Sequence, residues 1–123
     1  MKVCVTAQGN TLDSEVDPRF GRCKFFLIVD TDSMAFEAIA NPNLEASGGA
    51  GVQSGQLVAS KGVGAVLSGN IGPNAFQVLS AAGIDVVTSV SGTVKSAVAD
   101  FKSGKFKPGS GPSVGSKFGM PGK

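Results

Sequence analysis

Val63-Gly64-Ala65-Val66-Leu67-Ser68-Gly69-Asn70-Ile71-Gly72-Pro73 reads as a short strand that breaks at glycine and opens a helix. Val63 to Ser68 is apolar and too short to be helical. Pro73 suits a first helical turn, where a missing N–H costs nothing. The helix runs from Pro73 to Ala82 and stops at Gly83. Ile84 to Thr88 is a second strand. Ser91-Gly92-Thr93 then opens another helix, in which Val94, Ala97, Val98 and Phe101 fall at i, i+3, i+4 and i+7. Gly104 ends it. Right-handed crossovers make strands joined in this way parallel.

Upstream, Gly48-Gly49-Ala50-Gly51 leads into an expected helix from Val52 to Lys61, closed by Gly62. The first forty residues have the period of strands. Lys2 to Ala7 alternates and is β-branched. Gln8-Gly9-Asn10 is a turn, and Leu12 to Asp17 is expected as a short hairpin partner. Phe25 to Asp30 is a continuous apolar run, expected as a central strand buried on both faces. Thr31-Asp32-Ser33 turns the chain, Met34 to Ala40 returns it, and Asn41-Pro42-Asn43 breaks the pattern. The resulting order, βββαβαβα, predicts an α/β domain with a mixed five-stranded sheet covered by helices.

At 123 residues the chain makes one domain, expected over residues 1–104. Residues 105–123 hold five glycines, three prolines and three serines, and are expected as a flexible tail. Net charge is uneven: residues 1–101 carry −3 and residues 102–123 carry +5. The basic tail either solubilises the chain or reaches toward an anionic partner, with Lys102, Lys105 and Lys107 adding long-range attraction. Its only aromatics are Phe106 and Phe118, too few for the stacking a nucleic-acid interface uses. No apolar run approaches the roughly 20 residues of a membrane helix. The N-terminus lacks a signal pattern, so the expected location is the cytoplasm. Two cysteines cannot build a disulfide framework. Histidine is absent, which removes the commonest general base and the commonest metal ligand. The expectation is therefore a protein that is not an enzyme.

The chemistry concentrates in Asp17-Pro18-Arg19-Phe20-Gly21-Arg22-Cys23, which holds the only two arginines and one of the two cysteines. Guanidinium groups suit large soft anions; Arg19 and Arg22 either bind one or pair with Asp13, Glu15 or Asp17. Cys23 is either a soft-metal ligand, its thiolate favoured by Arg22 and Lys24, or a small core residue. Cys4 sits mid-strand and reads as core. The glycine turns at 48–51, 69–73 and 91–93 each precede a helix N-terminus, where free N–H groups attract anions. Asn70 and Asn74 add amide donors, although Asn70 also suits a turn. Met120 is a further candidate soft ligand in the tail.

Four motifs in order, Asp17–Cys23, Gly49-Ala50-Gly51-Val52-Gln53, Ser68–Phe76 and Gly92-Thr93-Val94, resemble the dinitrogenase iron–molybdenum cofactor biosynthesis family. The likeness covers roughly residues 1–107. Within that family the chain resembles the stand-alone orange-protein group, whose cargo is a molybdenum–copper sulfide cluster. The resemblance implies a ribonuclease-H-like three-layer fold without nuclease activity. It implies a carrier or scaffold for a preformed anionic cluster, of molybdenum–copper sulfide or another molybdenum/iron–sulfur type. The expected cluster-binding residues are Arg19, Phe20, Gly21, Arg22, Gly49, Gly51, Gly69, Asn70, Gly72, Asn74, Gly92 and Thr93, with Cys23 on metal. Expected partners are cluster donor or acceptor proteins, with no nucleic acid or membrane, and the chain is expected as a monomer or weak homodimer. The alternatives are iron–sulfur storage or assembly, and an interaction module that uses the basic tail. A four-thiolate iron–sulfur site needs four cysteines, and this chain has two.

Overall fold

The computed structural model describes residues 1–42 and 50–106. Gly48, Gly49, Met120 and the rest of the expected tail from residue 107 onward lie outside these. Among the described residues five strands and three helices follow the predicted order: β1 (Lys2–Ala7), β2 (Phe25–Asp30), β3 (Phe36–Ala40), α1 (Ala50–Ala59), β4 (Ala65–Leu67), α2 (Pro73–Ala81), β5 (Asp85–Val87) and α3 (Val94–Lys102). They form one mixed sheet of order β3-β2-β1-β4-β5. β2 runs antiparallel to both β1 and β3, whereas β4 is parallel to β1 and β5 is parallel to β4.

Alternation along the strands sorts the apolar residues into two cores. Val3, Val5, Leu27, Val29, Ala65, Leu67 and Val87 face α3, which answers with Val94, Ala97 and Val98. Cys4, Phe26, Ile28, Val66 and Val86 face α1 and α2, which supply Val58, Ala75 and Leu79. Each such Val or Leu side chain contributes roughly 1.5–3 kcal/mol when fully buried. Phe106, two residues past the expected end of the domain, also packs against the α3-side core.

Several expectations shift. β2 is buried through its middle, but the central strand of the sheet is β1. Leu12 to Asp17 does not pair as a hairpin strand, because its backbone bonds are divided between two partners. Val16 bridges to Ala7, Glu15 bridges to Thr93, and the Val16 N–H donates to the Gly92 carbonyl at 2.8 Å. The return strand begins at Phe36 rather than Met34, whose φ of 64° belongs to the turn. α1 starts at Ala50 and ends at Ala59, two residues earlier at each end than expected. Strands β4 and β5 keep only three residues each.

Because β1, β4 and β5 are parallel, their C-terminal ends share one edge of the sheet. β2 begins there too, since Phe25 pairs with Ala7. The loop of residues 8–24 therefore leaves from and returns to that edge. α2 and α3 start from it after β4 and β5. α1 starts from it as well: a Cβ built on Gly51 would lie 3.4 Å from the Ala75 Cβ, and one on Gly55 would lie 3.0 Å from Val78 Cγ1. α1 and α2 thus pack closely and in parallel, with their N-termini side by side.

Candidate functional site

The arginine loop, the β4–α2 turn and the β5–α3 turn meet at this edge, beside the start of α1. The arginine loop lies on the β4–α2 turn: Arg19 bridges to Asn70, and the Phe20 N–H donates to the Asn70 carbonyl at 3.1 Å. The β5–α3 turn joins from the other side. Ser89 N–H donates to the Gly69 carbonyl at 2.8 Å, and Val90 N–H donates to the Ser68 carbonyl at 3.1 Å. Ser89 adopts φ 62°, a left-handed conformation uncommon for a residue with a side chain. It is exposed beside Asn70 and was not among the residues expected from the sequence.

Several supports hold the arginine loop. Gly21 takes φ 88°, which glycine adopts without steric cost. The Asn41 side-chain amide donates to the carbonyls of Gly21 at 3.0 Å and Cys23 at 2.9 Å. Asn41 read as a simple breaker in the sequence; its burial and these two bonds make it the clamp of the loop. The Phe20 ring enters the core against Phe26, with centroids 5.6 Å apart and the planes tilted by 56°. Such pairs add about 0.5–1.5 kcal/mol beyond area burial. Phe20 is thus the apolar anchor of the loop, with its ring turned away from the exposed edge.

The two arginines stand out from this anchored backbone. Arg19 is 64% exposed at its side chain, and its Nε lies 3.4 Å from Oδ1 of the buried Asp17. The Arg19 N–H donates to the same oxygen at 3.0 Å. An ion pair with one exposed partner contributes about 0–1 kcal/mol. The anticipated pairing with Asp17 is present, yet it leaves most of the guanidinium in solvent. Arg22 is exposed on the same turn.

The helix ends differ. Thr93 caps α3 by accepting the Ser96 N–H on its hydroxyl oxygen at 3.1 Å. Its hydroxyl hydrogen remains available for donation. Gly72 is the N-cap of α2 and makes no side-chain cap bond, and Pro73 opens the first turn. Among the described residues no side-chain cap bond closes the positive end of that helix, and Asn74 is exposed on its first turn. Asn70 is exposed as well. Gly51 and Gly69 serve close packing, against Ala75 and Pro18 respectively.

Of the two readings of Cys23, the structure places it in the core, without the lowered thiol expected from its charged neighbours. It is fully buried in the same apolar cluster as Cys4. Burial first, and the Asp17 carboxylate second, push its thiol up to about 12, outweighing backbone hydrogen bonds that lower it. The charges of Arg22 and Lys24 do not outweigh burial, because both residues are exposed while the sulfur sits in the core. Burial likewise raises the Cys4 thiol, which is core as expected. Among the described residues no group of three or more His, Cys, Asp or Glu residues could hold a metal ion. No helix among them is long and apolar enough to cross a membrane. A depression of about 230 Å³ lined by Lys2, Ile28, Asp30, Ala35, Phe36 and Glu37 lies at the opposite end of the sheet.

Residues 1–104 match the dinitrogenase iron–molybdenum cofactor family. The chain belongs to that family. Its backbone is similar to the apo form of the orange protein from Desulfovibrio gigas, with a TM-score of 0.88 and 43% identity over 91% of this chain and 95% of that one. It is also similar to a candidate NifB protein from Thermotoga, with a TM-score of 0.75 and 36% identity over 87% of this chain and 91% of that one. An uncharacterised protein of Methanocaldococcus jannaschii is 33% identical over 110 residues, 87% of this chain and 90% of the relative. The family match spans all four motifs of the sequence, including the two turns bonded to the arginine loop.

Proposed function

We propose that this protein is a non-enzymatic carrier or scaffold that holds a preformed, anionic metal–sulfur cluster at the C-terminal edge of its parallel strands. The reading rests chiefly on one observation. The arginine loop is hydrogen-bonded onto the turn that opens α2, through Phe20 N–H to the Asn70 carbonyl, and α2 has no side-chain cap. Two exposed guanidinium groups and an open helix N-terminus therefore share one edge. Helix N-termini bind anions through backbone N–H groups and partial positive charge. Guanidinium groups suit large, weakly hydrated anions.

In this reading Arg19 and Arg22 supply charge. Asn70, Asn74 and the Thr93 hydroxyl donate hydrogen bonds to sulfide. Gly21, Gly72 and Gly92 let the backbone approach the cluster. Gly51, Gly69 and Phe20 act behind the surface by fixing the loops, and Gly49 precedes α1. The cluster arrives with its own sulfide ligands, which suits a chain with two cysteines, both buried. Cys23 would need to leave the core before it could ligate metal, so the pocket is read without it. We assign the cargo as a molybdenum–copper sulfide or iron–molybdenum type cluster, passed between donor and acceptor proteins. The assignment follows the membership in the dinitrogenase iron–molybdenum cofactor family and the likeness to the orange protein. The strand order β3-β2-β1-β4-β5 with helices on both faces supports a ribonuclease-H-like label.

The test is metal analysis and visible absorption of anaerobically purified protein, before and after tetrathiomolybdate and copper are added. Stoichiometric molybdenum with sulfide-to-metal charge-transfer bands is the expected result. Arg19→Ala with Arg22→Ala should lose the cluster while the fold persists. Unchanged retention in that double variant would overturn the reading.

A further inference from the structure

Two hydroxyls lie beneath the edge, where nothing in solvent reaches them. Thr6 is the penultimate residue of β1 and Ser68 follows β4, the adjacent parallel strand, and both are 0% exposed. Thr6 Oγ1 is 2.7 Å from the Asp17 carbonyl oxygen and 2.9 Å from Ser68 Oγ. Ser68 Oγ is in turn 3.3 Å from the Asn70 carbonyl oxygen, within reach of its hydroxyl hydrogen. Asp17 opens the arginine loop, and Asn70 is in the β4–α2 turn. The pair therefore links the two segments that carry the exposed cationic and amide groups.

Thr6 has one hydroxyl hydrogen and two acceptors within reach. The shorter contact is to the Asp17 carbonyl, for which Thr6 is the one donor among the described residues. With that bond made, Thr6 Oγ1 is free to accept, and Ser68 can donate to it or to Asn70. The Asp17 carbonyl depends on the Thr6 hydroxyl, whereas the Asn70 carbonyl also accepts the Phe20 N–H. Main-chain bonds run alongside: Asp17 N–H to the Thr6 carbonyl at 2.8 Å, and Phe20 N–H to the Asn70 carbonyl. Buried polar chains of this kind fix one geometry when fully satisfied and are costly when broken.

We propose that Thr6 and Ser68 are positioning residues for the cluster site: a buried hydroxyl pair that locks the arginine loop and the β4–α2 turn into one rigid anion-binding surface. The proposal rests on the carrier reading for its ligand, but the locking itself is measurable without any ligand. Neither hydroxyl touches the cluster; both act through Arg19 and Asn70.

Thr6→Val keeps the shape and removes the hydroxyl, Thr6→Ser keeps the hydroxyl, and Ser68→Ala removes the second member. Three readouts separate the possibilities: amide exchange at Phe20 in the ligand-free protein, affinity for tetrathiomolybdate, and the urea midpoint. Thr6→Val and Ser68→Ala should each speed exchange at Phe20 and weaken tetrathiomolybdate binding about tenfold, the scale of one lost buried hydrogen bond, while Thr6→Ser stays within about twofold. A purely structural role would lower the urea midpoint and leave both the Phe20 exchange and the affinity of folded protein unchanged; that result overturns the proposal. If Thr6→Val does not fold, Ser68→Ala decides by the same readouts. Failure of the wild-type chain to bind tetrathiomolybdate would count against the carrier reading, and exchange at Phe20 would still decide the locking.

Discussion

Gly69 and Pro18 are in backbone contact: a Cβ built on Gly69 would lie 2.6 Å from the Pro18 Cα and 2.9 Å from its carbonyl oxygen. This contact is where the arginine loop is seated on the β4–α2 turn. The obstructing atoms belong to the main chain, so no side-chain rotation relieves them.

Gly69→Ala should therefore push the arginine loop off its seat. Overpacking of this kind costs typically 1–3 kcal/mol. Urea denaturation should show that loss, and amide spectra of the folded variant should shift from Pro18's neighbours through Cys23. Anion affinity should fall with it. A variant with wild-type spectra in the loop would show that the loop is not held there.

Gly72→Asp should trade binding for stability. Gly72 has φ −81° and ψ 170°, a conformation open to any residue, and it caps α2 without a side-chain bond. Aspartate there gains a few tenths of a kcal/mol over glycine as a cap. Its carboxylate would occupy the N–H groups and field that the anion needs. The melting temperature should rise slightly while tetrathiomolybdate binding weakens. Both moving in the same direction would mean that the open end of α2 is not part of the site.

Asn41→Ala should loosen the loop from its other side. Two carbonyls, those of Gly21 and Cys23, lose their side-chain donor. Leaving a buried acceptor unpaired costs roughly 1–3 kcal/mol. Hydrogen exchange should accelerate between residues 20 and 24 more than in β4 or β5.

Both cysteines should resist alkylation until the protein unfolds, since buried thiols are inert. The pH dependence has a definite sign. The folded Cys23 thiol is raised from the usual 9.0 to about 12. The unfolded chain loses this proton first, so the stabilising contribution is fully present below pH 9 and is lost as pH rises toward 12. Burial pushes Cys4 in the same direction. Urea midpoints measured upward from pH 8 should decline, and Cys23→Ala should flatten the decline, although its cavity lowers stability throughout.

Much of the fold was legible because its signals are local. Pro73 and Gly83 bracket α2 almost to the residue. The apolar run Phe25–Val29 gives β2. The period of Val94, Ala97, Val98 and Phe101 gives the buried stripe of α3. What escaped the sequence depends on distant partners. Leu12 to Asp17 has strand-like residues, but Gly92 and Thr93, far along the chain, claim its hydrogen bonds. The charges around Cys23 suggested a thiolate, yet the side chain of a neighbour in sequence need not be a neighbour in space. Phe20 sits inside the motif that gave the site away, and its ring is in the core. Thr6 left one trace: a lone hydroxyl in the otherwise apolar run from Val3 to Ala7. Such a residue has to meet a partner indoors, but only the fold shows which one.

The edge that gathers the arginine loop, the β4–α2 turn and the β5–α3 turn draws on segments that are far apart in sequence. An unfolded chain has no trace of it, so any anion it holds binds the folded state alone. Loading then acts as a thermodynamic brake on unfolding: about 2.7 kcal/mol when free ligand stands at 100 times its dissociation constant. On the carrier reading proposed above, an empty chain is for that reason easier to melt and easier to degrade than a loaded one. Turnover of the empty form would need no dedicated recognition signal, since the difference in lifetime comes with the way the site is assembled.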